Sequence, residues 1–341
     1  MIGEAIGVLV EEGRDLSEDE AAAVMNEIME AEATPAQFGA FVLALRHKGE
    51  TVDEVVGMAR VMREHSLKAH VDARPLLDTC GTGGSGLNTF NVSTAAAIVA
   101  AAVGAKVAKH GNRGMTSQSG SADLLEALGA EIALAPEQVA SCIERTGVGF
   151  LFAQSFHPAM RFAAPLRREI GVRTVFNILG PLTNPASANC HVLGTPRLET
   201  AELLAGALAR LGVRHALVVS SDEGLDEISV SAPTTLFEVR GVEVTQRRVT
   251  PRDLGVAERT LAEVRGGSAE ENAEALRAVL RGDGSGSAAL RDFIAVNSGA
   301  GLYVCGLAAS IQQGAEQALT AIDEGEAAAR LGAFVEATRR S

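Results

Sequence analysis

Tryptophan is absent and Tyr303 is the only tyrosine, so a surface that stacks exposed nucleobases would have to rest on phenylalanines set in apolar runs. Cationic residues are also scarce. Thirty Lys and Arg face 43 Asp and Glu, a net charge of −13, which excludes a broad phosphate-tracking surface for nucleic acid but not a local anion pocket. The four cysteines, Cys80, Cys142, Cys190 and Cys305, are far apart and show neither CxxC nor metal-like spacing, so a reduced, cytoplasmic setting is expected. No apolar run approaches the roughly 20 residues of a membrane span; the longest, Ala95 to Ala105, is mostly alanine and reads as a buried helix. The start, Met1-Ile2-Gly3-Glu4, lacks the cationic and apolar stretches of a signal peptide.

What is present is a chain of 341 residues with 47% hydrophobic content, enough for one large domain and a smaller one. Residues 1 to 66 carry helix signals only. Ser17 with Glu20 and Thr51 with Glu54 have capping-box spacing, and Thr34-Pro35 starts a helix whose apolar face is Phe38, Phe41, Val42 and Leu45. From Pro75 short apolar strands alternate with helices: Leu76-Leu77, Lys106 to Ala108, Ile132 to Leu134, Phe150 to Phe152, Val192-Leu193 and Ala216 to Val219. This alternation predicts an α/β domain with a mostly parallel sheet, binding loops at the carboxyl ends of its strands, and a separate small all-helical domain. Between His157 and Asn184 a helical stretch interrupts the alternation and is expected to rejoin the helical domain. The expected division is 1–68 with about 158–184 for the helical domain, and 72–157 with 185–341 for the α/β domain.

The densest chemistry lies in Asp78-Thr79-Cys80-Gly81-Thr82-Gly83-Gly84-Ser85-Gly86 and the following Leu87-Asn88-Thr89-Phe90-Asn91-Val92-Ser93-Thr94. Glycines let successive N–H groups converge on an anion, and without Cβ atoms the chain can approach it closely. Gly81, Gly83 and Gly86 formally match GxGxxG, but a polar segment separates them from the helix, and the second strand ends in Lys109 rather than an acidic residue. Lys109-His110-Gly111-Asn112-Arg113 then supplies the cationic charge that the loop lacks, and the tract running through Ser117 to Ser121 offers hydroxyls and N–H groups at a helix start. A sugar phosphate is the expected ligand. The alternatives are a tight turn for the glycines and solvated charges for the cations. Ser221-Asp222-Glu223-Gly224-Leu225-Asp226-Glu227 carries four carboxylates and suits Mg²⁺ shared with substrate phosphates, or else a solvated acidic turn. On the helix after His157-Pro158-Ala159-Met160, Arg167 is a candidate to hold a planar carboxylate.

Taken in order, these motifs with Gly120-Ser121-Ala122-Asp123, Gly180-Pro181-Leu182-Thr183-Asn184-Pro185 and Leu225-Asp226-Glu227 resemble the anthranilate phosphoribosyltransferase family over nearly the whole chain. The resemblance implies the fold of the class II nucleoside phosphorylases, with the active site in the cleft between helical and α/β domains, and a homodimer formed through the helical domain. It implies transfer of the phosphoribosyl group of 5-phosphoribosyl 1-diphosphate (PRPP) to the amine of anthranilate, in tryptophan biosynthesis. Gly81, Gly84, Thr89, Asn91, Ser93, Thr94, Lys109 and Ser121 would surround PRPP, and Ser85, Val92, Gly111, Arg113 and Ser117 would be further substrate-binding residues. Ser93, Asp226 and Glu227 would hold Mg²⁺, as two ions; Gly81, Asn112 and Arg167 would contact anthranilate, with His110 and His157 lining its route, and Lys109 and His110 are the catalytic candidates.

Two departures stand out. Ser85 replaces the usual Asp, and Asp222-Glu223 precedes Gly224 where the family shows a His-Gly-like turn. A pyrimidine nucleoside phosphorylase would read Ser-Thr-Gly-Gly in the loop and lack Lys-His-Gly-Asn-Arg. A non-catalytic nucleic-acid-binding paralogue would need a basic groove, against the net charge of −13.

Overall fold

A computed structural model describes residues 1–114 and 118–340. The chain opens with helices. Ile2–Gly7 runs on into Val8–Glu12, and Glu18–Met29, Pro35–Lys48 and Val52–Glu64 follow. Ser17, Thr34 and Thr51 each accept the N–H of the residue three positions on, and Glu20, Gln37 and Glu54 return the bond to the cap. Each such cap contributes about 1 kcal/mol. Phe38, Phe41, Val42 and Leu45 are fully buried, as their helical spacing requires.

Seven strands form one sheet: β1 (Leu76–Gly81), β2 (Lys106–Gly111), β3 (Val148–Phe152), β4 (Cys190–Gly194), β5 (His215–Ser221), β6 (Thr234–Arg240) and β7 (Glu243–Val249), in the order β3-β2-β1-β4-β5-β6-β7. The first five are parallel, and β6 and β7 run antiparallel to their neighbours. Side-chain alternation sorts the strand residues onto the two faces. Leu217 and Val219 join the core with the helices Val92–Ala102 and Ala288–Cys305, whereas Ala216 and Val218 join the helix Leu198–Arg210 and the N-terminal bundle.

Two expectations change. Ile132 to Leu134 is not a strand: Ile132 and Leu134 are buried in two different clusters, and the segment has no ladder partner. The hairpin β6–β7 was not anticipated. Its edge strand, Glu243–Val249, is exposed up to Val249 and charged, the composition that keeps a free edge from pairing with other chains.

After β3, the helix Met160–Ile170 and the turn helix Phe176–Leu179 leave the sheet, and Ala163, Phe176, Ile178 and Leu179 pack into the apolar cluster of the N-terminal helices. Phe176 meets Phe38 with ring centroids 5.5 Å apart. The chain then returns to the sheet at β4.

Candidate active site

Chain order reverses between β1 and β4, and a cleft opens beyond the carboxyl ends of strands at such a point. Gly81 and Gly194 are register partners there. A Cβ on Gly194 would collide with the Asp226 backbone carbonyl, and one on Gly81 would lie 2.6 Å from Asp226 Oδ2. Glycine at both positions therefore lets the 222–227 turn close onto the β1 loop. Gly83 N–H donates to Asp226 Oδ2 at 2.9 Å, and the Ser85 side chain favours the charged form of this carboxylate. Gly83 and Gly84 have φ of 62° and 87°, conformations that a side chain rarely adopts.

Below the loop, Lys109 is buried and donates through Nζ to Thr79 O at 2.5 Å and to Ser93 Oγ at 3.3 Å. Burial lowers its pKa, while the charges of Asp78, Cys80 and Glu227 oppose that shift. Burial likewise raises the Asp226 carboxyl, and it raises Glu227 well above the usual range, with the Asp226 charge adding to the effect. Glu227 Oε2 is buried without a hydrogen-bond partner among the described residues. An orphaned carboxylate oxygen next to a second carboxylate, with Lys109 reaching between it and Ser93, fits a hard cation that completes its shell with substrate oxygens and waters.

The acidic run is thus not a solvated turn throughout. Asp222 is exposed and pairs with Arg248, and Glu223 accepts the Ser231 hydroxyl at 2.7 Å, so only Asp226 and Glu227 turn into the cleft.

A cavity of 690 Å³ adjoins the other side of Gly81, lined by Cys80, Thr82, His110 to Gly114, His157, Arg167, Phe176 and Pro181 among others. His110 and His157 have ring centroids 5.1 Å apart, and neither Nε2 has a partner among the described residues. Burial lowers their pKa to about 3 and about 4, so both rings are neutral at pH 7. Arg167 stacks over Phe176 at 5.5 Å and pairs with no carboxylate among the described residues. Arg161 and Arg168 line the same wall and likewise form no ion pair among the described residues, so Arg167 is one of three unpaired cations there, and the one set against Phe176.

Other expected residues have structural partners. Asn91 caps the helix Val92–Ala102, donating to Ser119 O at 2.9 Å and accepting Asn272 Nδ2 at 2.8 Å. Thr89 bridges to Arg265, Asn112 accepts Gln154 Nε2 at 3.3 Å, and Gly111 lies against Phe150 and Ser121. The Val92 side chain is fully buried in the core and offers no surface to a ligand. Thr94 is also buried, with Oγ1 unpartnered among the described residues. Arg113 does not add free charge: it pairs with Asp123 at 3.0 Å and with Glu126. Ser117 lies outside the described residues.

Three positions escaped sequence reasoning. Asp78 is fully buried, accepting His110 N–H at 3.0 Å and Asn184 Nδ2 at 2.7 Å, with burial raising its pKa to about 6. A carboxylate inside an apolar strand was the available signal. Gly194 carried none, nor did Arg173, whose Nη2 donates to Thr82 O at 3.2 Å, since their partners are distant in sequence.

The profile of the glycosyl transferase family, a/b domain, matches residues 73–328, and that of its helical bundle domain matches residues 5–66. The anthranilate phosphoribosyltransferase of Herpetosiphon aurantiacus is 51% identical over 325 residues, 95% of each chain. The crystal structure of the Thermus thermophilus anthranilate phosphoribosyltransferase superposes with a TM-score of 0.93 at 43% identity, over 99% of both chains. The chain belongs to the anthranilate phosphoribosyltransferase family. The Saccharomyces cerevisiae member in complex with PRPP and Mg is 28% identical, with a TM-score of 0.91 over 100% of this chain and 98% of that one. Family membership favours neither the pyrimidine phosphorylase nor the nucleic-acid-binding alternative.

Proposed function

We infer that this chain transfers the phosphoribosyl group of PRPP to the amine of anthranilate, giving N-(5-phosphoribosyl)anthranilate and diphosphate in tryptophan biosynthesis. One observation carries the reading at the level of the site: Gly81 borders both the 690 Å³ cavity and the Asp226 carboxylate, so an aromatic acceptor and a diphosphate donor would meet across a single glycine loop. The aryl amine is already a nucleophile and would attack the anomeric carbon from the cavity side, opposite the departing diphosphate, which inverts the configuration. No covalent enzyme intermediate is needed, and holding the two substrates in this order supplies much of the rate.

In this reading Arg167 binds the anthranilate carboxylate, and the neutral His110 and His157 line its path without adding charge. Ser93, Asp226 and Glu227 would hold Mg²⁺, in two ions, which when bound would neutralise charge on the leaving diphosphate. Lys109 adds a fixed positive charge beneath the loop. The remaining PRPP contacts come from Gly84, Ser85, Thr89, Asn91, Thr94, Gly111, Ser117 and Ser121, with Val92 contributing backbone only.

The division into residues 1–68 with about 158–184 and 72–157 with 185–341 belongs to the same reading, supported by Phe176 on Phe38. A homodimer through the helical part is supported by exposed Val10 and Leu43 on that bundle. A cytoplasmic location is supported by four free, buried cysteines. Incubation with PRPP, Mg²⁺ and anthranilate tests the activity. Stoichiometric anthranilate loss and diphosphate release are expected; release of diphosphate without anthranilate loss overturns the acceptor.

A further inference from the structure

Arg173 lies in the short connection between the helix Met160–Ile170 and the helix Phe176–Leu179, on the opposite side of the cleft from β1. Its guanidinium nevertheless reaches the glycine loop. Nη2 donates to Thr82 O at 3.2 Å, and a Cβ on Gly84 would collide with Nη1 and Cζ, so the cation lies directly over the Gly84 backbone. Gly83, in the same loop, is bonded to Asp226. Arg173 forms no ion pair within 4 Å among the described residues, yet it and Asp226 feel each other's charge. Exposed Arg46 and Arg197 lie near enough to press on Arg173 with like charge. Arg173 thus sets an unpaired cation over the glycine loop of a chain whose net charge is −13, with Arg197 and the Glu50-paired Arg46 near it.

Resting on the phosphoribosyl transfer inferred above, we propose that Arg173 is a diphosphate-binding residue. Without substrate it covers the glycine loop and offsets the Asp226 charge. When the diphosphate enters, the guanidinium turns from Thr82 O to the diphosphate oxygens, for which its planar fork is suited. Gly84 is needed here because any side chain would occupy the volume in which the guanidinium moves. Arg46 and Arg197 add to the field that draws the anion in.

Binding of PRPP with Mg²⁺, measured by calorimetry on the full chain, tests this on Arg173→Gln and Arg173→Lys, together with KM for each substrate. Arg173→Gln should weaken PRPP binding about tenfold, the loss expected for one charge-assisted bond, and flatten its salt dependence. The KM for anthranilate and the Tm should not change, whereas a purely structural role would move both. Arg173→Lys should bind between the parent and Arg173→Gln, keeping the charge and its salt dependence but not the bidentate fork. PRPP affinity within twofold of the parent in Arg173→Gln overturns the proposal. Failure of the parent itself to bind PRPP overturns the transfer reading instead, so the two failures are distinguishable.

Discussion

The backbone N–H of Gly83 donates to Oδ2 of Asp226 at 2.9 Å across a sequence separation of 143 residues. This bond makes the glycine loop and the acidic turn one site. It also occupies one Asp226 oxygen, so the orphaned Glu227 oxygen is the more available to a cation.

Glu227→Gln is expected to fold with an unchanged or raised Tm, because it removes a buried carboxyl whose charged form burial and the Asp226 charge disfavour, with Lys109 offsetting them only in part. Activity at all Mg²⁺ concentrations should fall, and the Mg²⁺ titration should shift to higher concentration. Thermal unfolding and initial rates across an Mg²⁺ series check both arms; a parental titration curve would remove Glu227 from the metal.

Arg167→Ala should weaken anthranilate use by about 2 kcal/mol, as for a lost charged hydrogen bond. PRPP binding should stay nearly constant, since Arg167 stands on the cavity wall rather than at the glycine loop. Steady-state kinetics with each substrate varied separately are the check, and an unchanged kcat/KM for anthranilate would dismiss the assignment.

At Ser85 the prediction concerns metal dependence. Ser85 favours the charged form of the Asp226 carboxylate, so Ser85→Asp would place a second carboxylate near it, tolerable only with a cation between them. Rates of Ser85→Asp should depend more steeply on Mg²⁺, with little change in the KM for anthranilate. Superimposable Mg²⁺ curves for the two proteins would show that Ser85 only completes the turn.

His191 gives a pH prediction remote from the chemistry. It is fully buried on β4, with Nε2 2.9 Å from Ala188 O and Nδ1 unpartnered among the described residues. Burial, with the Arg63 charge adding, lowers its pKa from 6.5 to about 4. The unfolded chain therefore binds more protons between those values, so stability is complete above pH 6.5 and is lost as pH falls through about 4. From pH 7 to pH 5 the loss from this one group is about 2 kcal/mol. His191→Asn should lack that component, giving a smaller drop in urea midpoint over the same interval; equal drops in both proteins would contradict it.

The helical start, the parallel sheet and the pairing of glycine loop with Lys109 were legible in the sequence because each is a local signal. Capping boxes, apolar periods of 3.6 and 2, and glycine density all act over a few residues. The same locality explains the misses. Ile132 to Leu134 has a strand's apolar content, but strand formation needs a neighbour in register, and none exists there. Glu243–Val249 has little of that content, yet hydrogen bonding to β6 suffices for an edge.

What the sequence determined by itself is the set of chemical groups available: a backbone able to cradle an anion, a cation beside it, a pair of carboxylates, and a free arginine for a planar acid. Tertiary structure decided which of these groups face the cleft. Asp222, Glu223 and Arg113 are bound up by Arg248, Ser231 and the Asp123–Glu126 pair, while Asp226 is held by the glycine loop and Glu227 Oε2 and Arg167 keep no hydrogen-bonded or ion-paired partner among the described residues. Arg173 and Gly194 became part of the site only on folding. The physical reason is that a charge is useful or neutralised according to partners within a few ångströms, and those partners lie tens to hundreds of residues away along the chain.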